Sequence, residues 1–414
     1  MLSNFARLLS FGLLALLCTF IMQVCAAHVL SPHDYGVFAK WLTDVALLGL
    51  FLIMGLDNAI LYFSHNDKGF YEGLSRNLIF FGIGLLSFLC VILFLGMDYF
   101  YYISLACTIF LVSSFQSVNA FNQRSENFKA YGAFQFLKSF LILAPFLVVY
   151  FVFESAMDAN FAFFAYLGGT AISFLMLLAF YMKSGGRLVF AGFLSRPYFQ
   201  YGFKGMTNTL LAVLLYSASV YCLNILSTKE AVGAFFLASS VAKLAWVFPD
   251  VLGNVLYPRY LKVGRGYSNE MVLSETYFYA SLIFLVNVAA LLAFIFVGNY
   301  VLSAIFPSGY SAIFWPVLWL LVGNQGMVYY KILGRYLASQ NQWLILKVSL
   351  FCAVLLNVTL NFFFIPRYGV LGAAISTALS FWLCGLIVAG AVKGAPLGFI
   401  MGWTGLRSAR TNGE

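Results

Sequence analysis

Apolar residues occur along this chain in twelve runs of about 20 positions, separated by short polar segments. The runs show no alternation of apolar and polar residues, which the strands of a membrane β-barrel would require. A helix needs about 20 apolar residues to cross the hydrocarbon core of a bilayer. The sequence therefore predicts an all-α integral membrane protein with about twelve transmembrane helices, at residues 8–30, 32–63, 77–96, 100–120, 134–153, 160–182, 206–226, 228–257, 276–298, 311–332, 342–365 and 370–392.

The composition excludes a soluble protein. Of the 414 residues, 63% are apolar and only 9% are charged, whereas about a quarter of the residues in a soluble domain are charged. The first run, 8–30, exceeds the roughly 7–15 apolar residues of a signal peptide, so we interpret it as the first span. The seven cysteines lie within apolar runs and there are only three histidines. We therefore expect no metal site, no cofactor and no histidine-dependent catalysis.

Basic residues lie mainly on one side of the predicted membrane. Of the 23 Lys and Arg residues, 19 fall on one side, two (Lys229 and Arg367) on the other, and two (Lys40 and Lys243) within spans. Because cytoplasmic segments carry the excess of Lys and Arg, we expect both termini and the 183–205 segment in the cytoplasm. This topology accounts for the net charge of +9, and we predict no nucleic-acid partner.

The sequence contains an internal repeat with an offset of 196 residues. Spans 1–2 match spans 7–8 at several positions, including Ser31 with Ser227, Asp34 with Glu230, and Asn58 with Asn254. Ser31 and Ser227 are the predicted N-caps of spans 2 and 8, the latter in a capping box with Glu230. Six spans per copy give parallel repeats, an arrangement typical of transporters. A duplicated bundle without a transport function is the alternative.

The repeat predicts two parallel six-helix lobes around a central cavity. Residues 1–182 form the N-terminal lobe, 183–205 a cytoplasmic linker, 206–392 the C-terminal lobe and 393–414 a cytoplasmic tail.

Beyond the first turns of spans 2 and 8, these two spans contain five charged residues. A charge at mid-membrane costs about 2.5–3.5 kcal/mol, so it normally faces a cavity or a partner. Lys243 and Lys40 are the predicted cavity residues that bind substrate, and Asp44, Asp57 and Asp250 are the predicted coupling or gating acids. The alternative for Lys40 and Asp44 is an ion pair within one helix, and for Asp57 and Asp250 a structural acid near a helix end. Lys243 has no acid three or four positions away, which makes it the strongest candidate.

Other polar residues have simpler interpretations. Four basic residues near cytoplasmic ends form a predicted cationic rim: Arg7, Arg124, Lys138 and Lys347. The alternative for Lys138 and Lys347 is snorkelling, in which the long side chain reaches the interface. Uncharged polar residues in the spans predict hydrogen bonds between helices. The residues concerned are Gln23, Asn208, Asn324, Asn357 and Asn361.

Three segments carry a resemblance to a known family. They are residues 30–39 (LSPHDYGVFA), 55–59 (GLDNA) and 360–374 (LNFFFIPRYGVLGAA). With these segments and twelve spans, the chain resembles the polysaccharide flippases, of the O-antigen type, in the superfamily that also holds the multidrug and toxin extruders.

The resemblance implies a function. Members of this family move undecaprenyl-diphosphate-linked oligosaccharides from the inner to the outer leaflet of a bacterial plasma membrane. It implies alternating access, a role in O-antigen, capsule or exopolysaccharide synthesis, and no enzymatic activity. Cationic cavity residues of relatives are thought to hold the diphosphate and sugar, which by helix position corresponds to Lys40 and Lys243. The implied partners are the lipid-linked oligosaccharide, membrane lipid, and the polysaccharide polymerase and chain-length machinery.

Two other functional classes stay open at this stage. A cation-coupled exporter of drug-like cations would need acids as the dominant charge at mid-membrane, whereas the deepest charge here is Lys243. A membrane glycan polymerase or ligase would need a large outer loop with catalytic residues, and the predicted outer loops are short. No nucleotide-binding motif is present, so we expect either coupling to a proton or sodium gradient or passive flipping.

Overall fold

The computed structural model describes residues 2–63, 67–95, 98–125, 127–152, 157–189, 196–260 and 269–392. The described chain is almost entirely helical and contains no β-strand; a single bridge joins Leu30 to Met157. The all-α prediction is therefore confirmed. The predicted cytoplasmic tail, 393–414, and part of the predicted linker, 190–195, lie outside the described residues.

Thirteen α-helices and two 3₁₀ turns make up the described chain. They are α1 (Leu2–Val29), α2 (Pro32–Ile53), α3 (Leu56–Phe63), α4 (Asp67–Leu95), α5 (Tyr99–Arg124), α6 (Phe128–Val152), α7 (Ala159–Lys183), α8 (Arg196–Leu226), α9 (Lys229–Lys243), a 3₁₀ turn (Leu244–Trp246), α10 (Val247–Tyr260), α11 (Asn269–Ile305), a second 3₁₀ turn (Ser308–Ile313), α12 (Phe314–Ser339) and α13 (Trp343–Ala391).

The number of spans agrees with the prediction. Ten described helical segments are long and apolar enough to cross a membrane, one of them running from α9 into α10. The 26-residue α12 corresponds to the predicted span 311–332. The 49-residue α13 consists of two helical segments that meet at Gly369, whose φ of 54° and ψ of −126° are not helical. These two segments correspond to the predicted spans 342–365 and 370–392, which brings the total to twelve.

The chain divides into two compact units, Met1–Val213 and Leu214–Glu414. In the N-terminal unit, α1 packs on α6, and α5 and α6 both pack on α7. Its core is rich in buried aromatic rings, among them Phe70, Phe81, Phe115 and Tyr181. In the C-terminal unit, α12 packs on both α11 and α13. The placement of the units around a cavity, and the linker between them, stay predictions.

The N-caps of α2 and α9 follow from their first residues. In α2 the prediction is confirmed, since the Asp34 backbone N–H donates to Ser31 Oγ at 3.1 Å. In α9 the predicted capping box at Ser227 is wrong by one residue, because Thr228 is the N-cap and accepts from the Ala231 N–H at 3.3 Å. Ser227 directly follows the preceding helix, and its N–H donates to the Leu223 carbonyl at 2.9 Å.

The predicted span 32–63 is two helices rather than one. Met54 and Gly55 adopt left-handed backbone conformations, with φ of 44° and 69°, and separate α2 from α3. This break packs against α8. A Cβ at Gly55 would collide with the Gly202 carbonyl oxygen, and a Cβ at Gly202 would lie 2.6 Å from the Met54 carbonyl oxygen. The close approach of two backbones therefore requires glycine at both positions.

Gly55→Ala is expected to destabilise the protein. The substitution combines a left-handed residue with a backbone collision, at a cost of about 2–4 kcal/mol. Gly49→Ala is the matched control, because Gly49 lies within helical α2 and a Cβ there would meet nothing within 4 Å. Thermal unfolding in detergent should show a lower melting temperature for Gly55→Ala and no decrease for Gly49→Ala. Equal melting temperatures for the two variants would contradict this account of the break.

Candidate functional site

In the N-terminal unit, Lys40 has two polar partners. Its Nζ lies 2.6 Å from Asp44 Oδ2 and 3.0 Å from the Tyr101 hydroxyl. Tyr101 also donates to Asp44 Oδ2 at 2.5 Å, so the carboxylate accepts from both. Asp44 is buried, at 7% exposure. The geometry matches the ion-pair interpretation of Lys40 and Asp44, and it leaves Lys40 little capacity to bind another anion.

The other predicted residues of this unit lie apart from that pair. Asp57 is in the first turn of α3, within electrostatic reach of Tyr198. Arg124 lies 5.3 Å from the centre of the Phe70 ring, and Lys138 lies 5.0 Å from that of Phe115. Arg7 belongs to α1, but its side chain is outside the described part of the structure.

Lys243 lies where the eighth predicted span passes from an α-helix into a 3₁₀ turn. It is the last residue of α9, and the 3₁₀ turn Leu244–Trp246 follows directly. The side chain lines a pocket of about 290 Å³ within the C-terminal unit, together with Tyr216, Trp246, Asn324, Thr377 and Phe381. The sequence did not predict this pocket, because its walls come from four α-helices and a 3₁₀ turn, with residues as far apart in the sequence as Tyr216 and Phe381.

The Lys243 ammonium has no carboxylate partner among the described residues. The ion pairs found in that part of the chain involve other groups, and no hydrogen bond from Lys243 Nζ is formed there. Its Nζ lies 5.9 Å from the centre of the Phe236 ring. The prediction that Lys243 lacks a neutralising acid on its own helix thus extends to the tertiary contacts that the structure describes.

Three aromatic rings form one wall of the pocket. The centre of the Trp246 ring lies 4.8 Å from that of Tyr216 and 5.9 Å from that of Phe381. Tyr216 and Phe381 are 5.8 Å apart. The pocket therefore combines a cation with flat apolar surfaces.

Asn324 of α12 holds both sides of the turn that carries Lys243. Its Nδ2 donates to the Ala242 carbonyl at 2.7 Å, and its Oδ1 accepts from Trp246 Nε1 at 2.7 Å. The predicted interhelical hydrogen bonding is confirmed for Asn324. It fixes the backbone before Lys243 and the ring after it.

A buried polar network lies behind the pocket. Ser219 of α8 is 2.8 Å from Thr377 Oγ1, and Asn361 Nδ2 donates to Ser219 Oγ at 3.0 Å. Asn361 also donates to Asn357 Oδ1 at 2.9 Å.

In α1, Gln23 accepts from the Tyr35 hydroxyl at 2.6 Å. The interhelical role is confirmed for Gln23, Asn357 and Asn361, whereas the Asn208 side-chain oxygen has no hydrogen-bond partner in the described part of the chain.

Asp250 is paired with a residue that the sequence did not single out. Lys331 of α12 places its Nζ 2.5 Å from Asp250 Oδ1 and 4.6 Å from the centre of the Trp246 ring. Lys331 is one of the 19 basic residues that the sequence assigns to the cytoplasmic side, because it lies at the end of the predicted span 311–332. The helix runs on to Ser339, so Lys331 lies about two turns inside it. Lys347 lies in the first turns of α13 and is half-buried.

No protein-family model matches the chain. Over 229 residues it is 22% identical to the probable low-salt glycan biosynthesis flippase Agl15 of Haloferax volcanii, a match that covers 55% of this chain and 48% of that protein. The chain thus spans about half the length of the curated relative that it matches.

Two solved structures have a similar fold. The first is the lipid II flippase MurJ in an inward closed conformation, with a TM-score of 0.71 and 13% identity over 95% of this chain and 91% of that one. The second is an inward-facing multidrug resistance MATE family transporter of the MOP superfamily, with a TM-score of 0.69 and 12% identity over 96% of both chains. The resemblance to flippases and extruders is confirmed by these matches. This multi-pass membrane protein has the transporter fold that the MurJ and MATE structures share.

Proposed function

We propose that this protein is a flippase that moves an undecaprenyl-diphosphate-linked oligosaccharide from the cytoplasmic to the outer leaflet of a bacterial plasma membrane. The observation that supports the proposal most strongly is the pocket that Lys243 lines together with Trp246, Tyr216 and Phe381. The ammonium of Lys243 has no carboxylate partner in the described structure. Such a cation attracts the diphosphate of a lipid-linked sugar as a point charge.

The chemistry of the pocket suits one part of this substrate. Its lining combines Lys243 with the rings of Tyr216, Trp246 and Phe381. In the proposed complex, the diphosphate end therefore lies at the pocket, the glycan extends away from it, and the polyprenyl tail stays in lipid.

A cation-coupled multidrug exporter is the second candidate, which the likeness to a MATE transporter supports. A cationic substrate needs an accessible carboxylate. Asp44 and Asp250 already pair with Lys40 and Lys331, and no acid lines the described pocket. These charges favour an anionic substrate over a cationic one. A membrane glycan polymerase or ligase has less support, because the similar proteins are described as flippases and transporters.

The remaining assignments are parts of the same proposal. Both termini face the cytoplasm, and the chain acts with membrane lipid, a polysaccharide polymerase and chain-length machinery in O-antigen, capsule or exopolysaccharide synthesis. A proton or sodium gradient acts through Asp44, Asp57 or Asp250, and the two units alternate access to the substrate. Arg7, Arg124, Lys138 and Lys347 attract anionic headgroups at the cytoplasmic face, where loading occurs.

Reconstitution into liposomes tests the function. A fluorescent undecaprenyl-diphosphate-linked oligosaccharide is placed in the bilayer, and its movement between leaflets is followed by quenching from outside. We expect rapid flipping with the protein and none in protein-free liposomes. Efflux of a cationic dye under proton and sodium gradients is measured in parallel. Dye efflux without flipping of the lipid-linked sugar would overturn the proposal in favour of the multidrug exporter.

A further inference from the structure

The ion pair between Lys331 and Asp250 is unequal in its burial. The Lys331 side chain is 14% exposed, whereas that of Asp250 is 48% exposed. Releasing the carboxylate to a polar environment costs little, since it is already half-exposed. Leaving the lysine without an anion costs much more, because a buried charge that loses its partner is strongly destabilising. Lys331 therefore needs an anion beside it, and Asp250 is one that can be replaced.

The ion pair is connected to the pocket through Trp246. The Trp246 ring lines the pocket together with Lys243, and Lys331 Nζ lies 4.6 Å from the centre of that ring. Lys331 is also close enough to Lys243 for their charges to interact. Lys331, which has a carboxylate partner, thus lies over the ring of Trp246, and Lys243, which has none in the described structure, lines the same pocket as that ring.

The charges do not balance around this tryptophan. Lys243 and Lys331 contribute two positive charges, Arg335 in the next turn of α12 adds a third that acts on Lys331, and Asp250 contributes one negative charge, so positive charge is in excess. A diphosphate diester carries a negative charge on each phosphate, so it can neutralise both lysines. A monophosphate diester carries a single charge and can neutralise only Lys243 while Asp250 stays in place.

We infer that Lys331 is the second cation of the substrate site, and that Asp250 is an internal counter-ion which the diphosphate of the substrate replaces. The inference rests on the proposed function and adds a basis for selecting diphosphate over monophosphate. Lys331 is held beside Asp250 and Trp246 until the diphosphate arrives, and then moves from the carboxylate to the second phosphate. The lysine and its acid consequently have opposite effects on binding.

Binding of a radiolabelled undecaprenyl-diphosphate-linked sugar and of the matching undecaprenyl-monophosphate-linked sugar, both of them diesters, to the full-length protein in nanodiscs tests the inference. Lys331→Gln is expected to weaken binding of the diphosphate lipid about tenfold, because one charge-assisted contact is lost. Asp250→Asn is expected to strengthen it severalfold, because the competing carboxylate is gone. Binding of the monophosphate lipid should change less than about threefold in Lys331→Gln. Lys183→Gln is the control, since Lys183 is exposed at the end of α7 in the N-terminal unit.

The signs of these effects distinguish the outcomes. If the pair is only structural, both variants weaken binding together with the melting temperature, and the inference is overturned. If Lys331→Gln does not fold, Lys331→Arg takes its place. We expect Lys331→Arg to keep the preference for the diphosphate lipid, and loss of that preference would contradict the inference. If the wild type binds neither lipid, or if Lys243→Ala binds the diphosphate lipid as the wild type does, the proposed function itself fails. Lys243-dependent binding that is unchanged in Lys331→Gln and Asp250→Asn overturns the inference alone.

Discussion

Lys243→Ala is expected to abolish flipping of the lipid-linked oligosaccharide and to leave the protein folded in the membrane. The ammonium is the charge in the pocket that lacks a carboxylate partner in the described structure, so its removal takes away attraction for the diphosphate without stranding an acid. A charge in a span is costly, so its loss is not expected to reduce stability. Flipping in liposomes should fall to the level of protein-free vesicles, with a melting temperature at or above that of the wild type.

Three other variants make this result specific. Lys243→Arg should keep part of the activity, because it keeps the charge while changing its geometry. Lys183→Ala should flip the lipid at the wild-type rate, since Lys183 is exposed at the end of α7. Lys40→Ala should do less damage than Lys243→Ala, because Asp44 and Tyr101 already engage Lys40. Full flipping by Lys243→Ala would remove this residue from the substrate site.

The spans could be predicted from the sequence because a membrane helix is specified locally, by about 20 apolar residues in a row. The division of α13 at Gly369 was predictable for the same reason, since Pro366 and Gly369 interrupt the apolar run. The break at Met54–Gly55 was not predicted, because the run 32–63 is mostly apolar and its polar residues Asp57 and Asn58 follow the break. The break packs closely against Gly202, which is far away in the sequence.

Only those parts of the site that depend on residues close together in the sequence could be predicted. Lys243 stood out because no acid lies three or four positions away, and the Lys40–Asp44 pair follows from its separation of one turn. The partner of Asp250 could not be predicted from local spacing, because Lys331 lies 81 positions further along the chain. The aromatic wall was equally hidden, since Tyr216, Trp246 and Phe381 belong to different helical segments. In a chain with 46 Phe and 25 Tyr residues, composition could not distinguish these rings from ordinary packing.

Asn324→Leu is expected to reduce flipping about tenfold or more while the protein still inserts. Asn324 bonds to the Ala242 carbonyl and to Trp246 Nε1, which lie on either side of Lys243. Leucine has a similar volume but no hydrogen-bonding group, so both partners lose a bond, at a cost of roughly 1–3 kcal/mol for each buried group left unsatisfied. The turn that presents Lys243 would then no longer be fixed to α12. A small misplacement of a binding group is enough for a loss of this size.

The expected pattern for this variant is slow flipping and weak substrate binding, with a modestly lower melting temperature. Asn160→Leu is the matched control, because Asn160 makes a side-chain hydrogen bond to Asp158 near the start of α7, in the other unit of the chain. It should flip the lipid at the wild-type rate. The affinity for the lipid, measured at low temperature, distinguishes a positioning role of Asn324 from a structural one. A variant that is only less stable would bind the lipid as the wild type does at low temperature. If Asn324→Leu flips and binds the lipid as the wild type does, the hydrogen bonds across the turn do not position Lys243.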